Sequence, residues 1–381
     1  MIYKKLSFQF ISVFNFFLNI YILFILFFLG NLEISGEGFV AISLINVFSY
    51  GFSGNLRNIY LGNKNNINIK KFLLFRVKIG LIGIICSAIL VFFFISKDNI
   101  LFLISLMSLT IINWIIEIFI ARNEKNNKLN FYHILNILFL LVIYPILVFF
   151  NFFEYSIYLI IIYILSNLLI YARPLKNIIK LRSIYLKNEK QNFKLGISST
   201  FLKAISNLIW RYSALLIIGK SQSAILFFGF SIGSFYGTLF DISYGALFLK
   251  NFKRHKKILL NILYVSYVIF ICIFLLIFIK FSTLNHFELR MLCITSILSL
   301  LGAYAMIFAL DLRQSLFEIK NMQNICFKVD IFLYFFNAAL IPLLSIIKLD
   351  FIVSAYLISS ILFYLVYKVT NINALQRKLQ K

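Results

Sequence analysis

FLKAISNLIWRYSALLIIG, residues 201–219, is the segment on which the topology of this chain depends. It is long and apolar enough to cross a membrane, but Lys203, Asn207 and Arg211 interrupt it at intervals of four residues. If this segment crosses, every later loop lies on the opposite side of the membrane from where it would otherwise be. The distribution of charge along the rest of the chain therefore tests the segment.

The composition indicates an integral membrane protein. Of 381 residues, 62% are hydrophobic, 18% aromatic and 13% charged, whereas soluble domains are about 45–50% apolar and about 25% charged. The net charge of +24 does not indicate a nucleic-acid binder, because too little polar sequence remains to build a soluble basic surface. The four cysteines have no paired spacing, so we expect neither a disulfide framework nor a metal site.

Twelve apolar segments approach the length of about 20 residues that a spanning helix needs. The sequence thus predicts an all-α membrane protein with spans at 8–29, 38–56, 79–96, 100–120, 131–150, 155–172, 201–219, 223–245, 259–279, 291–310, 329–347 and 351–367.

The cations support all twelve spans. With the N-terminus in the cytoplasm, thirty of the 37 Lys and Arg fall in cytoplasmic loops and tails, Arg76 and Arg313 among them. Five fall in external loops, and Lys203 and Arg211 remain within the seventh span. This asymmetry is what the positive-inside rule predicts. Both termini are therefore expected on the cytoplasmic side.

The chain divides near its midpoint. We expect a six-helix bundle over 1–180, a basic cytoplasmic connector over 181–200 and a second six-helix bundle over 201–381. Pro145 and Pro342 interrupt corresponding helices, and Tyr-Gly pairs recur at Tyr50 and Tyr236. Because each half has an even number of spans, the pattern predicts a parallel repeat, related by a pseudo-twofold axis around a central cavity. Proline is common in membrane helices, so chance matching is the alternative.

Charged and amide side chains within the spans are the candidate binding residues. Lys203, Asn207 and Arg211 share one helical stripe, and such a cationic stripe facing water would suit an anionic substrate. The alternative is a buried ion pair between Arg211 and Asp241 or Glu117. Asn15 and Asn19 form a second, uncharged stripe on the first helix, for which hydrogen bonding between helices is an equally ordinary use.

Glu117 and Asp241 are the acids that we single out within the spans. Carboxylates at such positions commonly carry protons or bind sodium, so both are candidates for coupling transport to an ion gradient. The alternative is pairing with a loop lysine at the headgroup level. His133, His255 and His286 lie far apart in the sequence and no catalytic motif accompanies them, so we do not expect an enzyme and predict no cofactor.

Three stretches carry a resemblance to a known family: GFSGNLRNIYLG (51–62), WIIEIFIARNEK (114–125) and the region 211–245, which contains RYSALLIIGK and AILFFGFSIGSFYGTLFDISYG. Together they resemble the O-antigen flippases, the polysaccharide branch of the multidrug/oligosaccharidyl-lipid/polysaccharide exporter superfamily. Arg211 matches the cation of helix seven in such proteins, and Glu117 matches their helix-four acid. The chain is somewhat short for the family, and its first helix carries an uncharged stripe.

The resemblance implies transport of an undecaprenyl-pyrophosphate-linked oligosaccharide from the cytoplasmic to the periplasmic leaflet of a bacterial inner membrane. It implies alternating access driven by a proton or sodium gradient, and a role in O-antigen or capsule assembly beside polysaccharide polymerase and chain-length proteins. An ion-coupled small-molecule or multidrug exporter is the first alternative. An O-antigen polymerase is the second, and the short external loops disfavour it.

Overall fold

The structure is a computed structural model in which every described element is helical. It describes residues 15, 17–52, 69–125, 131–150, 153–180, 190–244, 261, 264–269, 271–273, 275–276, 284–318 and 323–379. Within this part of the chain, seven helices are long and apolar enough to cross a membrane. The prediction of an all-α, multi-pass membrane protein is confirmed at this level.

The helices are numbered here in chain order. The first part of the chain forms α1 (Phe17–Phe28), α2 (Leu32–Phe48), α3 (Ile69–Phe94), α4 (Ile100–Lys125), α5 (Phe131–Phe149) and α6 (Phe153–Lys180). The second part forms α7 (Lys190–Ile218), α8 (Lys220–Tyr244), α9 (Tyr264–Ile273, described in part), α10 (His286–Glu318), α11 (Gln323–Ile347), a 3-10 turn at Leu349–Ser354, and α12 (Ala355–Leu379).

Two glycines with left-handed backbone end α1 and α7. Gly30 has φ of 84°, and the amide of Asn31 donates to the carbonyl of Leu26 over 2.9 Å. Gly219 has φ of 83°, and its amide donates to the carbonyl of Leu215 over 3.2 Å. Residues with a Cβ rarely adopt this conformation, so glycine allows each helix to stop and the next to begin at once.

The chain forms two compact units, Met1–Ala204 and Ile205–Lys381. In the first unit, α4 packs against α2, α3 and α6. The spanning part of α4 is 72% buried, whereas that of α3 is only 22% buried. The helix α4 is therefore central to its unit. The helix α3 instead exposes large apolar side chains, including Leu81, Ile85 and Phe93, as a lipid-facing helix does.

In the second unit, α10 packs against α8 and α12. Gly229 and Gly233 of α8 face Thr295 and Ser299 of α10, and the hydroxyl of Ser299 donates to the carbonyl of Gly229 over 2.6 Å. Small residues spaced four apart let two membrane helices approach closely. The contact of α8 with α10 is built in this way.

Each unit considered by itself pairs its helices in the same order. In the first unit α4 contacts α2 and α6, and α5 contacts α6. In the second unit α10 contacts α8 and α12, and α11 contacts α12. The parallel repeat predicts this correspondence, and the glycine ends of α1 and α7 also occupy matching places in it.

Several helices extend beyond their predicted bounds. The helix α3 begins at Ile69 rather than at 79, so Arg76 is a buried helical residue and not a loop cation. The helix α10 runs to Glu318 rather than to 310, which makes Arg313 helical as well. The described part of the predicted connector, 190–200, belongs to α7. Charged residues at helix ends lower the mean hydropathy of a window, so such a window ends before the helix does.

Candidate functional site

Lys203 lies on the part of α7 that belongs to the first unit. Its Nζ atom is 3.4 Å from the hydroxyl of Tyr50 and 5.4 Å from the centre of that ring. The hydroxyl of Thr200 donates to the carbonyl of Gly51 over 2.7 Å, and the ring of Phe201 is 5.3 Å from that of Phe52. The end of α2 is thus fixed against α7, and the half-buried ammonium group lies on an aromatic face, where cation–π attraction offsets part of its desolvation.

Arg211 lies on the part of α7 that belongs to the second unit. Its guanidinium carbon is 5.7 Å from the centre of the Phe227 ring, and its side chain is half-buried. The neighbouring Trp210 is buried against Phe230, with the ring centres 4.8 Å apart. Packing of Trp210 therefore fixes the rotation of α7, and this rotation directs Arg211 towards α8.

Asn207, the third member of the predicted stripe, is exposed. Ser206 beside it is buried and accepts from the amide of Asn337 over 2.9 Å, and Ser359 donates to the oxygen of the same amide over 2.8 Å. These bonds join α7, α11 and α12. The polar residue that holds this section of α7 in its unit is therefore Ser206, which the sequence analysis did not single out.

Glu117, a predicted coupling acid, forms an ion pair with Arg76. Its Oε2 atom is 3.0 Å from Nη1 of Arg76, and the same nitrogen donates to the carbonyl of Trp114. The guanidinium also lies 4.7 Å from the centre of the Trp114 ring. Arg76 is fully buried, and the Glu117 side chain is 33% exposed. The sequence predicts Arg76 to be a loop cation, so its pairing with Glu117 was not expected. The side chain of Asp241, the other coupling candidate, lies outside the described residues.

Asn15 lies two residues before α1 and Asn19 in its first turn, and both side chains are buried. The amide nitrogen of Asn15 donates to the carbonyl of Asn113 over 3.3 Å, and the amide nitrogen of Asn113 returns the bond to the carbonyl of Asn15 over 3.3 Å. Asn15 is 4% exposed and Asn19 is 6% exposed. For Asn15, this bonding is the helix-to-helix use that the sequence analysis named as the alternative.

Two buried acids were missed by the sequence analysis. Asp330 of α11 is held by the guanidinium of Arg313, with contacts of 2.9 and 2.6 Å, and by the hydroxyl of Tyr367. Glu37 of α2 is 1% exposed and accepts from the amide of Asn99 over 3.0 Å. Both lie near the ends of predicted spans: Asp330 is the second residue of 329–347, and Glu37 immediately precedes 38–56. Their positions at the ends of apolar segments were the feature of the sequence that could have identified these acids as candidates for burial.

His133 is also buried, and its Nδ1 atom is 3.0 Å from the amide oxygen of Asn167. Its ring lies edge-on to Tyr171, with the ring centres 5.6 Å apart. Among the described residues, no group of His, Cys, Asp and Glu is arranged to hold a metal ion. His133 therefore belongs to the packing of α5 against α6.

No family model matches this chain, and no curated protein or solved structure is significantly similar to it.

Proposed function

We propose that this protein is a flippase that moves an undecaprenyl-pyrophosphate-linked oligosaccharide from the cytoplasmic to the periplasmic leaflet of a bacterial inner membrane. The observation that carries the proposal is the presence of two cations, Lys203 and Arg211, within the spanning segment Ile197–Ile218. Each is half-buried and lies beside an aromatic ring.

The chemistry of the substrate fits these cations. A charged side chain at the centre of a bilayer costs about 2.5–3.5 kcal/mol on insertion scales, so a pyrophosphate that crosses unaided faces a comparable or larger barrier. A guanidinium offers paired donors with the geometry that a phosphate accepts. In the proposed mechanism Arg211 holds the pyrophosphate or an acidic sugar, Lys203 assists, and the prenyl chain stays in the lipid.

Coupling to a proton or sodium gradient is part of the proposal. Uptake of a proton or sodium ion by Glu117 would weaken its pair with Arg76, which contacts one of the two carboxylate oxygens. Asp241 is the second candidate. Alternation between inward-facing and outward-facing states would then follow from the change of charge at these acids.

The test is translocation of labelled lipid-linked oligosaccharide by the purified protein in liposomes. We expect Arg211→Ala to lower the flipping rate at least about tenfold, which corresponds to roughly 1.4 kcal/mol of lost stabilisation. Arg211→Lys should retain part of the wild-type flipping rate. Arg290→Ala is the matched control, because Arg290 is an exposed arginine of α10, and it should flip at the wild-type rate. Wild-type flipping by folded Arg211→Ala would refute the role of this cation.

Deletion of the gene gives an independent test of the substrate. We expect complete lipid-linked repeat units to accumulate on the cytoplasmic face of the membrane. Surface glycan reduced to single repeat units would instead identify a polymerase, and loss of drug resistance with intact glycan would identify an exporter.

A further inference from the structure

We infer that α1 and α4 form a binding site for one alkali-metal cation, lined by the side-chain oxygens of Asn15, Asn19 and Asn113. The three residues are 4%, 6% and 4% exposed. The inference concerns binding alone and does not depend on which substrate the protein transports.

The hydrogen bonds between the two helices fix the amide groups. Asn15 and Asn113 each use Nδ2 to donate to the main-chain carbonyl of the other residue. An amide that donates through Nδ2 in one direction presents its Oδ1 atom in another. Asn15 and Asn113 therefore each contribute one side-chain oxygen that is not involved in joining the helices.

These oxygens are buried acceptors. The Oδ1 atoms of Asn15, Asn19 and Asn113 are all shielded from solvent, and no donor from the described residues reaches any of them. Asn15 is helical, and Asn19 lies four residues further along the chain, in the first turn of α1. Orphaned acceptors in a membrane interior are costly, and three of them on one helix pair call for a common partner.

Thr110 adds a fourth oxygen on the same face of α4, one turn before Asn113. It is 6% exposed, and its hydroxyl donates its proton to the carbonyl of Leu106 over 2.9 Å. Because the proton is used in this way, the lone pairs of the hydroxyl oxygen remain available as a ligand.

The ligand set selects the class of ion. Amide and hydroxyl oxygens are hard ligands, which suit hard cations and not thiophilic metals. All four ligands are neutral, and the carboxylate nearest in sequence on α4, Glu117, is already paired with Arg76. A divalent ion would need carboxylates at the site to balance its charge. A monovalent alkali ion is therefore the occupant that fits.

The experiment is thermal unfolding of the full-length protein in detergent. Sodium, potassium and lithium chloride are compared with choline chloride at equal ionic strength. We expect at least one alkali ion to raise the melting temperature saturably, by about 3 °C or more, while choline does not. Binding of radioactive sodium, or of rubidium if potassium is the active ion, should reach one ion per chain.

Variants locate the site. Asn19→Leu removes an oxygen without touching the reciprocal bonds, and it should raise the half-saturating ion concentration at least about tenfold. Asn113→Leu should abolish the response. Asn136→Ala is the matched control, since both ends of that amide are bonded within the α5–α6 pair, and it should respond as the wild type does. Equal melting in choline and in all three alkali salts, or an unchanged half-saturating concentration in Asn19→Leu, would overturn the inference.

Discussion

At the scale of single residues, Arg313 and Asp330 form an ion pair in which two guanidinium nitrogens contact one buried carboxylate. The Asp330 side chain is 1% exposed and accepts from two guanidinium nitrogens and a tyrosine hydroxyl, so its charge is fully compensated. Desolvating an unpaired carboxylate costs several kcal/mol. Asp330 therefore depends on Arg313, and this dependence ties α10 to α11.

We expect Arg313→Leu to lower the free energy of unfolding by about 3–5 kcal/mol, because it leaves a buried carboxylate uncompensated. The double variant Arg313→Leu, Asp330→Leu should recover most of this loss. Unfolding of the purified protein by a denaturing detergent measures both. Lys348→Leu provides the comparison: its ion pair with Asp350 is 66% and 71% exposed, and its loss should cost less than about 1 kcal/mol. If Arg313→Leu costs no more than Lys348→Leu, the carboxylate is not held in the way described.

At the scale of helices, the contact of α8 with α10 is the closest approach made at a glycine among the described residues of the second unit. A Cβ atom at Gly233 would lie 2.2 Å from the main-chain oxygen of Ser299. A Cβ atom at Gly229 would lie 2.7 Å from the methyl group of Thr295 and 2.8 Å from its Cβ atom, and the nearest main-chain atom of α10 would be 3.3 Å away. The two glycines therefore differ in how well an added methyl group can be accommodated.

We expect Gly233→Ala to reduce stability more than Gly229→Ala, because its added methyl group would lie 2.2 Å from a main-chain oxygen of the facing helix. Relative melting temperatures and the fraction of monodisperse protein in gel filtration would test this order. Equal or reversed losses would contradict the close backbone contact at Gly233.

At the scale of the whole molecule, the cation distribution predicts which loops face outward. The described turns at Lys97 and Lys348 are exposed and follow α3 and α11. The positive-inside rule places both outside the cell, and it places Lys328, at the start of α11, inside.

We expect Lys97→Cys and Lys348→Cys to react in spheroplasts with a maleimide that cannot cross membranes. Lys328→Cys should react only after the membrane is permeabilised. The wild-type chain, with four cysteines of its own, gives the background. Labelling of Lys328→Cys in sealed spheroplasts would contradict the predicted orientation and indicate the opposite one.

The membrane class and the all-helical fold could be predicted from the sequence, whereas the charged pairs could not. The cations Lys203 and Arg211 were visible because they interrupt one apolar segment. Arg76 was assigned to a loop because it lies at the edge of an apolar segment. Neither its burial nor its pairing with Glu117 can be recognised from the sequence around it.

The sequence by itself determined that this is an all-helical membrane protein, because a backbone in hydrocarbon must satisfy its own hydrogen bonds within each apolar segment. That requirement acts within each segment, so a run of about 20 apolar residues is enough to indicate a spanning helix. Only the tertiary structure decided which polar groups meet. The partners are 41 residues apart in Arg76 and Glu117, 17 in Arg313 and Asp330, and 98 in Asn15 and Asn113. Such partners are chosen by how separate helices pack, and this packing depends on the side-chain shapes of whole helix faces.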